Sequence, residues 1–147
     1  MSATNAFETA LLNLIFNNTN AANIGDATGL RGSTTPGVFY ISLHTADPGE
    51  TGTQSTSEAT ATGYARQSVV RTSSGFTVSG NTVSNAAAIN FPNVTAAPGS
   101  AATHFGIGTD VTGAGNLLMS GALTSSYTFA IGNAPQFAIG ALTATAD

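Results

Sequence analysis

The sequence predicts a mainly β protein of one domain, a β-sandwich or small barrel preceded by one N-terminal amphipathic helix. Three observations carry this expectation. Apolar residues recur at helical spacing only near the start, over about 5–17. From about 37 to 146 the chain is a series of short apolar or alternating runs, separated at close intervals by Gly, Pro, Asn and Ser, which is the pattern of an all-β sheet protein. The length of 147 residues is that of a single domain able to bury a sizeable core, so residues 1–147 are taken as one structural domain.

The elements follow in order. Asn5 and Glu8 have the spacing of a capping box, and Phe7, Leu11, Leu14 and Ile15 share one helical face. Ala10, Leu12 and Phe16 widen that apolar stripe, so the helix is expected to pack against the core and to end near Asn17-Asn18. Residues 19–36 form a polar connection in which Asp26 and Arg31 are placed to pair. Over residues 37–44 Phe39, Ile41 and Leu43 alternate with Tyr40, Ser42 and His44, the signature of a half-buried strand. Asp47-Pro48-Gly49 ends it in a type II turn, because proline sets φ at the second position and glycine accepts φ > 0 at the third.

Residues 50–62 contain nothing larger than Gln54 and Glu58. Such a segment is expected to lie outside the core, as a docking arm over 46–63 that orders against a partner. A strand at 64–70 follows, and then the clearest hairpin, 76–79 with 82–85, joined by Gly80-Asn81 in a type II′ turn. Shorter strands are expected at 88–91 and, after a Pro98-Gly99 turn, at 103–108. Another is expected over 117–123, where Gly121 marks a bulge or a close backbone approach. A last hairpin, 127–131 with 136–139, and a strand at 142–146 complete the series. Neither a heptad run nor a repeat of 20 to 50 residues is present, so no fibre shaft is encoded.

Charged residues make up only 7% of the chain, net charge is −4 and lysine is absent, leaving Ser, Thr, Asn, Gly and Ala to cover the surface. A surface so poor in charge suits a protein packed against copies of a neighbour. Three dispersed arginines, Arg31, Arg66 and Arg71, and a pI of about 4.7 offer no counterion-releasing patch, which argues against nucleic acid as a partner. The absence of cysteine removes disulfides, thiolate chemistry and Cys-based metal sites. The apolar segment at 7–16 is too short for an export signal, carries Glu8 and follows no Lys or Arg, and no apolar run is long enough to cross a membrane.

The candidate chemistry is sparse. His44 and Asp47 lie close together with serines nearby, but no Gly-x-Ser-x-Gly elbow accompanies them, and His104 has less context still. Asp47, Glu50 and Glu58 lack the dense spacing of a calcium loop. Gly113-Ala114-Gly115 lacks the lysine of a phosphate loop and reads as a turn. These carboxylates are expected instead to cap turns or meet arginines, and a Glu58–Arg66 pair would pin the excursion to the following strand. The expectation is a protein with no enzymatic activity, no cofactor and no metal.

The run from Leu43 to Glu50, Glu58 with Gly63-Tyr64-Ala65-Arg66, and Val78-Ser79-Gly80-Asn81-Thr82-Val83-Ser84-Asn85 with Phe91-Pro92 resemble a family of small tailed-bacteriophage virion proteins. The resemblance extends to Leu11-Leu12-Asn13-Leu14-Ile15-Phe16 and to His104-Phe105-Gly106-Ile107-Gly108. Members are variously labelled tail fibre protein or capsid decoration protein. The resemblance implies a virion structural protein made in the host bacterial cytoplasm, and by analogy with viral proteins a jelly-roll-like form of the sandwich. With a single domain and no shaft repeat, the expected role is capsid decoration: a cement protein on the outer capsid surface whose partners are the major capsid protein and copies of itself. A tail-associated fibre, tip or adhesion module is the alternative. The expected partner-binding residues are Asp47, Pro48, Gly49, Glu50, Glu58, Tyr64 and Arg66.

Overall fold

A computed structural model describes residues 2–97 and 99–146; the Pro98 half of the expected Pro98-Gly99 turn lies outside them. The elements run α1 (Asn5–Asn17), β1 (Val38–His44), β2 (Gln67–Val70), β3 (Phe76–Ser79), β4 (Thr82–Asn85), β5 (Ile89–Asn90), β6 (Ala102–Gly108), β7 (Leu117–Tyr127), β8 (Gln136–Phe137) and β9 (Thr143–Thr145). With 34% strand against 9% helix the fold is mainly β, of the small β-sandwich kind, with antiparallel sheets and no closed barrel. Three sheets are formed, in the strand orders β2-β1-β6-β7, β3-β4-β9 and β5-β8. The chain divides into two compact units: residues 1–38, 69–88 and 137–147 form one, and residues 39–68 and 89–136 the other. Because the chain passes between them repeatedly, neither unit is a contiguous piece of sequence.

In the first unit Leu12, Phe16, Phe76, Val83 and Leu142 are buried, and the Phe16 and Phe76 rings meet edge to face with centroids 5.0 Å apart. The helix starts one residue earlier than the capping-box spacing indicates. Thr4 is the N-cap, its hydroxyl accepting from the Phe7 amide at 3.4 Å. The buried face is also turned: Glu8, Leu12 and Phe16 are buried, whereas Phe7 is 48% exposed and Leu11, Leu14 and Ile15 are half-buried. The C-terminus carries no basic residue of its own. Arg71 supplies one from a distance, donating from Nε to the Ile15 carbonyl at 2.6 Å and from Nη2 to the Leu14 carbonyl at 3.1 Å, where a cation satisfies free carbonyls and the helix dipole together.

The β3–β4 hairpin is as expected, with Ser79 opposite Thr82 across the two-residue turn and β9 added along β4. Gly80 has φ +60°, while Asn81 is not among the residues with positive φ, which is the type II′ combination. A Cβ at Gly80 would meet nothing within 4 Å, so a side chain there costs conformational strain alone. We expect Gly80→Val to lower stability by about 1–2 kcal/mol, read as a lower denaturant midpoint at unchanged m-value. An unchanged midpoint would show that the turn tolerates a β-branched residue.

Elsewhere the sequence reading is corrected. Asp26 does not pair with Arg31; its Oδ1 accepts from the Thr28 amide, the Thr28 hydroxyl and the Gly29 amide, closing a local turn. No hairpin joins 127–131 to 136–139: β8 is two residues long and partners β5. The runs expected at 117–123 and from 127 belong in part to one strand, β7. Gly121 is no bulge. It is the place where the Phe105 ring lies over the backbone, Cε1 standing 2.9 Å from where a Cβ would be. The bulges fall instead between Leu117 and Met119, and at 123–126, which stand opposite the single residue Thr103.

Candidate functional site

The alternation in β1 works as the sequence indicates. Ile41 faces Ile107 and Leu43 faces Phe105 across the antiparallel β1–β6 pair, and all four are buried. The other face of β1 is not solvated, however, for Ser42 and His44 are both 0% exposed. The polar excursion that follows Asp47-Pro48-Gly49 reaches this face, its Thr56 carbonyl standing 2.8 Å from His44 Nδ1, and Leu117 lies beside Ser42 and His44 over Gly106. At Asp47-Pro48-Gly49 the glycine takes φ +69° as expected, and the Asp47 carboxylate accepts from its amide at 2.9 Å, but the backbone hydrogen bond that closes a turn comes after it, from the Gly52 amide to the Gly49 carbonyl at 3.1 Å.

The excursion therefore does not lie outside the core, and its polar composition is the reason it can pack where it does. Backbone groups fasten it: the Thr45 amide donates to the Ser57 carbonyl at 2.7 Å, Ala59 to Leu43 at 2.8 Å, Gln54 to Ala114 at 2.8 Å and Thr62 to Ala96 at 2.9 Å. Ala59 and Ala61 are buried, and Gln54 is 0% exposed. The Gln54 Oε1 accepts from the Asp110 amide at 2.9 Å. Its side chain occupies space left by Gly108, where a Cβ would stand 2.1 Å from Gln54 Cδ. A buried amide is tolerated because its polar atoms find partners, and no buried side-chain nitrogen or oxygen among the described residues lacks one.

Glu58 and Arg66 form a salt bridge, with side chains 19% and 3% exposed. The contact is bidentate, Arg66 donating from Nε to Oε1 and from Nη2 to Oε2, each at 2.7 Å. The remaining guanidinium donors reach the Asp110 carbonyl at 2.8 Å and the Gly113 carbonyl at 2.7 Å. Tyr64 closes the network: its hydroxyl accepts from the Leu43 amide at 2.9 Å and donates to Glu58 Oε1 at 3.2 Å. The Tyr64 ring stacks on Phe91. The hydrogen bonds that Arg66 donates to Glu58 hold the Arg66 pKa above its ordinary value, and burial raises that of Tyr64. Glu58, Tyr64 and Arg66 thus join the excursion to the strand and to the 110–113 loop.

His44 has a fixed tautomer. Its Nδ1 lies 2.8 Å from the Thr56 carbonyl, which can only accept, so Nδ1 carries the proton and Nε2 accepts from the Ser42 hydroxyl at 2.8 Å. The group beside Nδ1 is this carbonyl and not Asp47. Burial holds the His44 pKa below its ordinary 6.5, reinforced by Arg66 and His104 and opposed by the Thr56 hydrogen bond and Glu58. The unfolded chain takes up this proton near pH 6.5 while the folded chain resists it, so stability is full above that pH and falls as pH drops toward the folded pKa. We expect the denaturant midpoint to fall between pH 7.5 and 5.5, at no more than about 1.4 kcal/mol per pH unit from this group. His44→Gln should flatten the fall; an identical pH profile in the variant would assign it to other groups.

Of the residues expected to meet partners, Asp47, Gly49 and Glu50 are exposed, whereas Pro48 is buried in the turn. Asp47, Gly49, Glu50 and Gly52 form one wall of an open groove of about 550 Å³, whose other wall is residues 117–122 of β7, with His104 also lining it. Sequence reasoning missed this groove because its second wall lies some 70 positions away. The uncharged composition of β7 was the available signal.

Comparison with protein families matches residues 2–145 to the podophage GP4 fiber I protein gp80 family. The chain belongs to that family. This fiber I protein family member is a structural protein of the bacteriophage virion. No curated protein matches the chain significantly. No helix among the described residues is long and apolar enough to cross a membrane, and no group of three or more His, Cys, Asp or Glu among them is placed to hold a metal ion.

Proposed function

We propose that the protein is a non-enzymatic subunit of the podophage virion and that it works as a fibre component, by packing against copies of itself and neighbouring virion proteins. The observation that supports this best is the closure of the Ser42–His44 pair. Ser42 and His44 are 0% exposed, and the imidazole is held by a backbone carbonyl, so the pair serves packing and meets no substrate. The fiber I description of the family favours the fibre over other positions. Nucleic acid and membrane are not partners in this reading, in keeping with a net charge of −4 and three arginines.

A second reading, capsid decoration against the major capsid protein, draws on the absence of any shaft repeat in the sequence. In that case the protein would stabilise the assembled shell by binding it and not its dissociated subunits. Immunogold labelling of intact particles separates the two. Label on fibres is the expected result, and label spread over the capsid surface would replace the first reading with the second.

A further inference from the structure

β7 ends the four-stranded sheet, with β6 on one side and no strand on the other among the described residues. An open edge presents a row of backbone donors and acceptors, and proteins that must avoid pairing there place charge or proline on it. This edge does neither. Its eleven residues, Leu-Leu-Met-Ser-Gly-Ala-Leu-Thr-Ser-Ser-Tyr, contain no charge and no proline, and Leu118 is 45% exposed. The groove described above follows the first half of the strand, and its far wall carries the carboxylates of Asp47 and Glu50. The second half bears the exposed hydroxyls of Thr124, Ser125 and Ser126, on the stretch that bulges away from β6.

We propose that the occupant of this groove is β7 of a second copy of the chain, paired antiparallel about a two-fold axis at Ala122, the midpoint of the strand. The choice of occupant follows from complementarity. A two-fold at Ala122 lays the hydroxyl run of each copy along the groove of the other, where hydroxyls donate to the Asp47 and Glu50 carboxylates. It sets Ser120 opposite Thr124 with no like charges facing across the strands. The pairing continues each four-stranded sheet into its neighbour, and one patch serves both copies, as a two-fold interface requires. This inference rests on the reading of the protein as an assembly subunit and names the partner.

The chain has no cysteine, so a single introduced one reports the contact. Ala122 and its copy, directly opposite, would have Cα atoms about 4.5–5.5 Å apart, within the span that a disulfide bridges. We expect Ala122→Cys to give a disulfide-linked dimer as the main product, while Ala130→Cys, at an exposed site off the strand, stays monomeric. Light scattering of the unaltered protein should give twice the 14.6 kDa chain mass. The double variant Thr124→Glu/Ser126→Glu, at two exposed positions, should give the single mass and keep a cooperative melt, since it sets carboxylates against the Asp47 and Glu50 carboxylates of the other copy without touching the buried face. A monomeric parent protein at millimolar concentration with Ala122→Cys still reduced would overturn the proposal, as would a dimer that survives the glutamate variant. So would a monomeric protein whose glutamate variant is lost from particles, which would assign the edge to a different virion protein. None of these outcomes depends on whether immunogold places the protein on fibre or capsid.

Discussion

Glu58→Ala is expected to cost about 3–5 kcal/mol, a large share of the roughly 5–15 kcal/mol that holds a domain of this kind together. The reason is what stays behind. The Arg66 side chain is 3% exposed, and removing the carboxylate leaves its charge buried with only the Asp110 and Gly113 carbonyls as hydrogen-bond partners and the Asp110 carboxylate acting without an ion-pair contact. Tyr64 loses its acceptor at the same time. The joint replacement Glu58→Leu/Arg66→Met should recover most of the loss, because two apolar side chains carry no unpaired charge into the interior. Denaturant unfolding of the three proteins checks this. A loss under about 1 kcal/mol for Glu58→Ala would mean the pair behaves as an ordinary surface ion pair.

Replacing residues 50–62 by a short Gly/Ser linker is expected to abolish cooperative unfolding of the unit that contains them. Loop closure alone would make such a change cheap, and the sequence reading of a docking arm predicts an intact fold. The structure makes it expensive. The replacement removes Gln54, Ala59 and Ala61, all buried, and the Thr56 carbonyl that holds His44. It removes the backbone bonds to Thr45, Leu43, Ala114 and Ala96, each contributing about 1 kcal/mol, and strips Arg66 of Glu58. Ser42 and His44 would lose that part of their cover. A circular dichroism melt that remains cooperative and within a few degrees of the parent would restore the docking-arm reading.

How far the fold was legible depends on what each residue packs against. The apolar face of β1 and the Gly80-Asn81 hairpin were legible because alternation and turn chemistry are local. The Glu58–Arg66 pair was legible as a possibility, since both residues lie near the excursion they fasten. The packing of that excursion was not, because apolar area was taken as the only means of burial. Here backbone hydrogen bonds and a glycine-lined space for Gln54 do the work, and the glycine concerned, Gly108, lies 54 positions away. The role of Arg71 at the end of α1 was hidden for the same reason, its carbonyl partners being 56 and 57 positions distant. In β7 the Ser/Thr run at 124–126 was left between two expected strands, whereas one strand passes through it.

The excursion is a built-in layer of the fold, and β7 is the edge proposed for assembly. Amide hydrogen exchange on the free protein at low concentration and on intact particles tests both at once. The amides of Thr45, Gln54, Ala59 and Thr62 should be protected in both samples, and residues 118–126 should gain protection only in the particles. Amides at 54–62 that exchange freely in solution and become protected only on the particle would contradict both, for the excursion would then be the docking arm and β7 would not.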